Sequence, residues 1–375
     1  MLTAVFYLGG GWYFSGRLYE LGLSAAAKRA DRPTYDIRVR AITPDSLTMA
    51  LPGEPDEAVP GTWGVQWPGG DGEVGRILGR TRGTVTRFFH RFDGTSPGPG
   101  RLITMNDSVF PRNPQVGLGL AYRTVDYHGP LGSYPAWFVP GRSDVWAITV
   151  HGNDLTRLDC MKIVPTLHRA GLPVLMITYR NDAGAPPAPN GLMEYGLTEW
   201  QDLQAAVQYA LAHGAHRVVL VGYSMGGGIV ASFLERSPLA RDSAGAILDA
   251  PMLDFSRTVD LGASAQRLPL VGLPLPQSLT DVAKWIAGLR YGVDWSGMDY
   301  LTGVARLRAL GTPILLFQGL KDVTVPPQTS AALARALPHQ VTYLTFADAG
   351  HLQEWNLDPA RYDAAVTAFL ARTVG

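Results

Sequence analysis

Gly222-Tyr223-Ser224-Met225-Gly226 sets a serine between two glycines, after the apolar run Val218-Val219-Leu220-Val221 and before Gly227-Gly228. A serine hydroxyl is a weak nucleophile until a sharp strand-to-helix turn exposes it, and flanking glycines let neighbouring backbone come close. Glycines at the start of a helix cost stability unless tight packing against strands demands them. The pentapeptide is short and needs its context, which a buried strand before it and a helix after it supply. Ser224 is the candidate nucleophile of an acyl transfer.

Such a serine requires a base, and the base an acid that fixes its tautomer. Among eight histidines, His351 follows the last predicted strand in Ala347-Asp348-Ala349-Gly350-His351, on the same rim as Ser224. His90 and His128 fall outside the main sheet; His168, His213 and His216 sit on or beside helices, and His339 precedes a strand. Two carboxylates compete for the acid. Asp322 lies in Gln318-Gly319-Leu320-Lys321-Asp322 after the strand Ile314–Phe317, and Asp249 ends a strand in Leu248-Asp249-Ala250-Pro251. Asp322 is preferred because the order Ser, Asp, His leaves room for an insertion. Developing negative charge needs aimed N–H donors. The backbone N–H of Met225 is one; the second is expected from His151-Gly152-Asn153-Asp154, through the backbone of Asn153. Asn153 or Asp154 can equally cap a helix beginning near Leu155, and both roles are compatible.

These residues need a scaffold. From about Tyr35 to Phe110 the chain breaks into short runs of period two, such as Ile37–Ala41, Ser46–Met49 and Thr84–Phe88, parted by turn clusters like Gly69-Gly70-Asp71-Gly72. This reads as a small β-rich module, residues 31–120. From Tyr122 onward strands alternate with helices, the pattern of a mostly parallel sheet covered on both faces. An opening hairpin (Tyr122–Asp126, Tyr134–Val139) precedes strands at Val145–Val150, Val174–Tyr179, Arg217–Val221, Ala244–Leu248, Pro313–Phe317 and Val341–Phe346. Helices are expected over Leu155–Ala170, Glu199–His213, Met225–Arg236, Gln328–Leu337 and Pro359–Arg372. Residues 252–300 interrupt the alternation with proline-broken apolar runs, Trp285 and Trp295. They are expected to form a lid-like insertion over the carboxyl ends of the strands, where open α/β sheets place their sites.

Four motifs in order, His151-Gly152, Gly222-Tyr223-Ser224-Met225-Gly226, Gly319-Leu320-Lys321-Asp322 and Gly350-His351, make the chain resemble the α/β-hydrolase superfamily, in particular its bacterial serine esterases. The resemblance spans about Tyr122 to Gly375. It implies an α/β-hydrolase fold with an eight-stranded, mostly parallel sheet in residues 121–375, and hydrolysis of carboxylic esters through an acyl-enzyme. A peptidase or amidase, an acyltransferase or a perhydrolase would use the same triad. A catalytically inactive binding module is disfavoured because all three triad positions are filled.

The remaining expectations are of exclusion. With 32 basic and 32 acidic residues the net charge is zero, so no field invites nucleic acid. One cysteine, Cys160, excludes an intrachain disulfide and a multi-cysteine metal site. Gly70-Asp71-Gly72-Glu73-Val74-Gly75 matches a dinucleotide fingerprint but leads into a strand-like run rather than a helix. No cofactor or metal is expected, the partner is a small-molecule ester, and oligomeric state is not specified. Residues 1–30 are apolar: Leu2–Gly16 carry no charge, yet the run is short for a membrane span and holds three consecutive glycines. A helix packed on the body and a cytoplasmic location are expected, with a membrane-anchored or exported protein as runner-up.

Overall fold

The computed structural model describes residues 2–27, 34–50, 59–268 and 272–374. The expected boundary at residues 30 and 31 and the Pro269-Leu270 pair of the insertion lie outside the described residues.

The first β unit is a closed barrel. Its strands are β1 (Ile37–Thr43), β2 (Ser46–Ala50), β3 (Trp63–Trp67), β4 (Gly70–Thr81), β5 (Thr84–Gly94) and β6 (Leu102–Asn106), in the order β1-β2-β5-β4-β3-β6. β6 pairs back onto β1, and such closure leaves fewer open edges. The period-two runs turn Val39, Leu47, Met49, Val65, Val74, Val85 and Ile103 inward. The dinucleotide-like stretch lies inside β4, a strand throughout.

The second unit is an eight-stranded sheet of β7 (Arg123–Gly129), β8 (Gly132–Val139), β9 (Val145–Val150), β10 (Val174–Ile177), β11 (Arg217–Tyr223), β12 (Ser243–Asp249), β13 (Ile314–Gly319) and β14 (Val341–Phe346). The order is β14-β13-β12-β11-β9-β10-β8-β7. The hairpin β7–β8 joins antiparallel to β10, and the other pairings are parallel. Every residue of β9 and β12 is buried, as expected of strands with helices on both faces. This is an α/β-hydrolase fold with a separate N-terminal β-barrel.

One helix departs from expectation. Leu155–Ala170 is not a continuous helix: a 3₁₀ turn covers Asp159–Lys162 and an α-helix covers only Val164–Arg169. Pro165 explains the late start, because proline fits the first turn of a helix and not its interior. Asn153 and Asp154 therefore cap no helix at Leu155. Instead the Asp159 carboxylate accepts from the Thr156 N–H at 2.7 Å and from the Ser108 hydroxyl at 2.5 Å, shaping a turn.

The insertion between β12 and β13 contributes helices Phe255–Ser264 and Gln277–Tyr291. The N-terminal helix Leu2–Leu18 lies along the second of these. Gly10 and Gly11 set the closeness of that contact. A Cβ added at Gly11 would stand 2.6 Å from Val282 Cγ1 and 2.9 Å from Ile286 Cδ1. Among the described residues no helix is long and apolar enough to cross a membrane. Trp285 faces solvent. The buried stripe of its helix is Leu279, Thr280, Ala283, Ile286 and Ala287, and Trp285 falls off that stripe into solvent, 60% exposed. Trp295 packs inward instead, stacked on Phe255 at 5.6 Å.

Candidate active site

Ser224 joins the end of β11 to the helix Met225–Arg236 with φ 51° and ψ −118°. A non-glycine residue in that region is strained by about 1–3 kcal/mol and persists only where its surroundings fix it. They do: the Ser224 N–H donates to Asp249 O at 2.9 Å, and Ser224 O accepts from the N–H groups of Gly227 and Met252, both at 2.9 Å. The flanking glycines are sterically required. A Cβ on Gly222 would meet Gly226 O at 2.5 Å, and one on Gly226 would collide with the carbonyl oxygens of Val150 and His151.

His351 follows β14 on the neighbouring loop. Its Nε2 lies 2.9 Å from Ser224 Oγ and its Nδ1 2.7 Å from Asp322 Oδ2. The Asp322 carboxylate is held from every side. Oδ2 also accepts from Gln318 Nε2 at 3.2 Å, and Oδ1 accepts from the N–H groups of Thr324 at 2.8 Å and Val325 at 2.9 Å. Gly319 lets the acid and histidine loops touch, since a Cβ there would lie 2.5 Å from both Ala349 O and Gly350 O. Ser224 and Asp322 are 9% and 4% exposed, so the relay is largely shielded from water with its histidine edge open.

The competing carboxylate is engaged elsewhere. Asp249 accepts from Tyr362 OH at 2.9 Å. Its Oδ1 and Glu354 Oε2 are buried without a hydrogen-bond partner. Burial pushes the Glu354 carboxyl well above its ordinary range, with Asp249 adding to the rise; burial raises Asp249 too, against hydrogen bonding from Glu354. The two buried carboxyls thus influence each other behind the histidine loop. Glu354 Oε1 accepts from the Gly319 N–H at 2.6 Å, so the pair also holds the end of β13. Glu354 escaped sequence reasoning because no motif surrounds it; only the fold brings it to Asp249.

The loop after β9 lies against the nucleophile. A Cβ on Gly152 would stand 3.0 Å from Ser224 Cβ. His151 fixes this loop through Asp182, at 2.9 Å, and Tyr179 OH donates to Gly152 O at 3.0 Å. The Asn153 side chain donates to Tyr195 OH at 3.4 Å. Met225 opens its helix, so its N–H has no intrahelical acceptor. Met225 is the residue after Ser224, and Asn153 follows Gly152 on the loop that lies against it. Among the described residues no cluster of His, Cys, Asp and Glu is suited to a metal ion. Cys160 is buried, and burial pushes its thiol far up, away from the thiolate.

Residues 128–365 match the alpha/beta hydrolase family, and residues 38–106, most of the barrel, match a domain of unknown function. An uncharacterized protein of Mycobacterium tuberculosis strain H37Rv is 25% identical over 247 residues, covering 63% of this chain and 74% of that protein. Among solved structures, the Pyrococcus furiosus esterase Pf2001 superposes with a TM-score of 0.55 at 20% identity, covering 71% of this chain and 96% of that one. A puromycin-hydrolyzing peptidase of Mycobacterium tuberculosis gives 0.53 at 19% identity, covering 88% of this chain and 47% of that one. At such identities the structural likeness is one of fold. The family match covers well over half of the sequence, and the chain belongs to the alpha/beta hydrolase family.

Proposed function

We propose that this protein is a serine hydrolase that cleaves carboxylic esters through an acyl-enzyme. The observation that carries the reading is the unbroken relay from Ser224 Oγ to His351 Nε2 at 2.9 Å and from His351 Nδ1 to Asp322 at 2.7 Å. In this reading His351 takes the hydroxyl proton as Ser224 Oγ attacks the substrate carbonyl carbon. The oxygen becomes an anion facing the N–H groups of Met225 and Asn153. The ester C–O bond then breaks, the departing alkoxide takes the proton from His351, and an acyl-Ser224 remains. Water attacks this ester with His351 again as base, releasing the acid and restoring the serine. Asp322 keeps Nδ1 protonated and stabilises the imidazolium without itself taking the proton. The insertion 252–300 is the proposed lid, and no cofactor enters any step. The substrate is a small molecule rather than a nucleic acid.

The test is covalent. A fluorophosphonate probe should label the parent and not Ser224→Ala, and the variant should lose nitrophenyl-ester turnover by a factor on the order of 10⁴ to 10⁶. Labelling that persists in the variant overturns the assignment. Because one structural neighbour is a peptidase, a nitroanilide with the same acyl group belongs beside the ester. Faster cleavage of the anilide would make this an amidase built on the same triad.

A further inference from the structure

The N-terminal helix and the insertion flank an open cavity of about 560 Å³, within the size range of small-molecule sites. Phe14 and Leu18 line it from the helix Leu2–Leu18. Val259 and Gly262 line it from the insertion, and Val323 and Thr324 from the loop that follows the triad acid. Two connections tie this space to the reaction centre. The Thr324 N–H itself holds Asp322 Oδ1 at 2.8 Å. Phe255, another wall residue, stacks at 3.8 Å on Tyr195, whose hydroxyl receives the Asn153 side chain.

The N-terminal segment is built into this wall at both ends. Its helix is seated on Gln277–Tyr291 through Gly10 and Gly11. Past the helix, Gly22 O accepts from Tyr195 OH at 2.7 Å, and Leu23 O accepts from the Met193 N–H at 2.7 Å. The one ammonium in the wall is spoken for: Lys284 Nζ donates to Asp260 at 2.7 Å and to Ser256 Oγ at 3.1 Å. Arg17 is paired with Glu20 at 3.1 Å. Arg267, the other guanidinium of the wall, is exposed; the remaining lining is chiefly aliphatic and aromatic, so the occupant is an apolar chain.

We infer that the N-terminal helix is the second wall of an acyl-binding cavity, which seats the unbranched hydrocarbon chain of the substrate beside the loop that carries Asp322. The inference rests on the ester reading for the carbonyl end of that ligand, and on the cavity alone for its chain. It gives the apolar start of the sequence a role in specificity.

Gly262 supplies a clean probe. No atom lies within 4 Å of a Cβ placed there, so Gly262→Phe fills the cavity without collision, and a helical glycine is given up without loss. The ratio of kcat/KM for nitrophenyl octanoate over nitrophenyl acetate should fall by about tenfold in Gly262→Phe. A chain that loses the contacts of two to three methylenes, each worth about 0.8 kcal/mol, predicts a change of that order. Phe14→Ala, on the N-terminal helix, should lower the same ratio severalfold. Gly9→Phe adds equal bulk to that helix where nothing lies within 4 Å and the residue is not part of this wall; its ratio should match the parent.

Binding separates the cavity from the chemistry. In the Ser224→Ala background, cis-parinaric acid fluorescence should report binding that octanoate competes away and that Gly262→Phe weakens at least fivefold. That result supports the cavity even for a protein that turned over no ester. Binding unchanged by both Gly262→Phe and Phe14→Ala, or an unchanged octanoate-to-acetate ratio in both, overturns the inference. A loss in Gly262→Phe with Phe14→Ala unchanged removes the N-terminal helix from the wall and overturns it too.

Discussion

Ser224 is held in a strained backbone conformation by three hydrogen bonds, and the strain places its hydroxyl 2.9 Å from one imidazole nitrogen. The other nitrogen meets Asp322, while Asp249 accepts from Tyr362 and is influenced by Glu354. Asp322→Asn should therefore lower kcat by roughly 10³ to 10⁴ by admitting the wrong tautomer of His351. Asp249→Asn should cost far less. A larger loss in the folded Asp249 variant would reverse the assignment. Glu354 makes a separate prediction about stability. Its carboxyl, raised from 4.5 by burial and by Asp249, keeps in the folded state a proton that the unfolded chain releases. A raised acid contributes stability that is present below its unfolded value and lost as pH climbs through its folded value. Glu354→Gln cannot titrate, so its stability in urea should decline less than the parent's from about pH 4.5 upward. Parallel profiles would mean that the Glu354 carboxyl is not raised in the folded state. The triad was legible because each member ends a recognisable strand or motif. Glu354 was not, since a buried carboxyl pair leaves no local pattern.

At the scale of elements, the sheet was legible almost to the residue, because strands buried on both faces read as continuous apolar runs. Only three of the six barrel strands were singled out. Trp63–Trp67, Gly70–Thr81 and Leu102–Asn106 are short, glycine-rich or weakly alternating, and barrel closure rather than propensity settles them. The partner of the N-terminal helix was likewise invisible, as the three glycines read as a weakness of that helix when two of them, Gly10 and Gly11, are its contact. Gly9 and Gly11 separate the two readings within one helix. Replacing an open helical glycine with alanine stabilises by about 1 kcal/mol, so Gly9→Ala should raise the urea midpoint. At Gly11 the added methyl meets the stiff, β-branched Val282 at 2.6 Å, and overpacking costs about 1–3 kcal/mol. Gly11→Ala should therefore lower the midpoint. Equal stabilisation by both would show that the two helices do not rely on close approach.

At the scale of the whole molecule, the barrel is docked on the segment that follows His351, and a single amide makes most of the polar seam. Asn356 is fully buried. Its Nδ2 donates to Thr62 O at 2.8 Å, just before β3, and to Asp107 O at 3.0 Å, just after β6. Its own carbonyl accepts from the Thr62 N–H at 2.7 Å. Its Oδ1 accepts from Lys162 Nζ at 2.9 Å, and Lys162 also donates to Leu352 O at 3.0 Å. Leu352 is the residue after the histidine and sits at φ 58°, so the barrel, the buried lysine and the histidine loop form one hydrogen-bonded unit. Phe110 against Trp355, at 5.8 Å, adds an apolar contact at the same seam. Asn356→Ala would strand two barrel carbonyls and weaken the hold on a buried ammonium. Each unsatisfied group costs about 1–3 kcal/mol. A lower Tm is the first expectation, and the informative one is kinetic. If the barrel steadies His351, kcat for an activated ester should fall severalfold at a temperature well below the transition, with KM moving less. Trp355→Leu removes aromatic packing from the same seam while leaving the Asn356 hydrogen bonds, and should lower Tm with a smaller effect on kcat. Equal kcat in the parent and in folded Asn356→Ala would mean that the histidine loop is positioned by the hydrolase unit alone, and that the barrel serves another purpose.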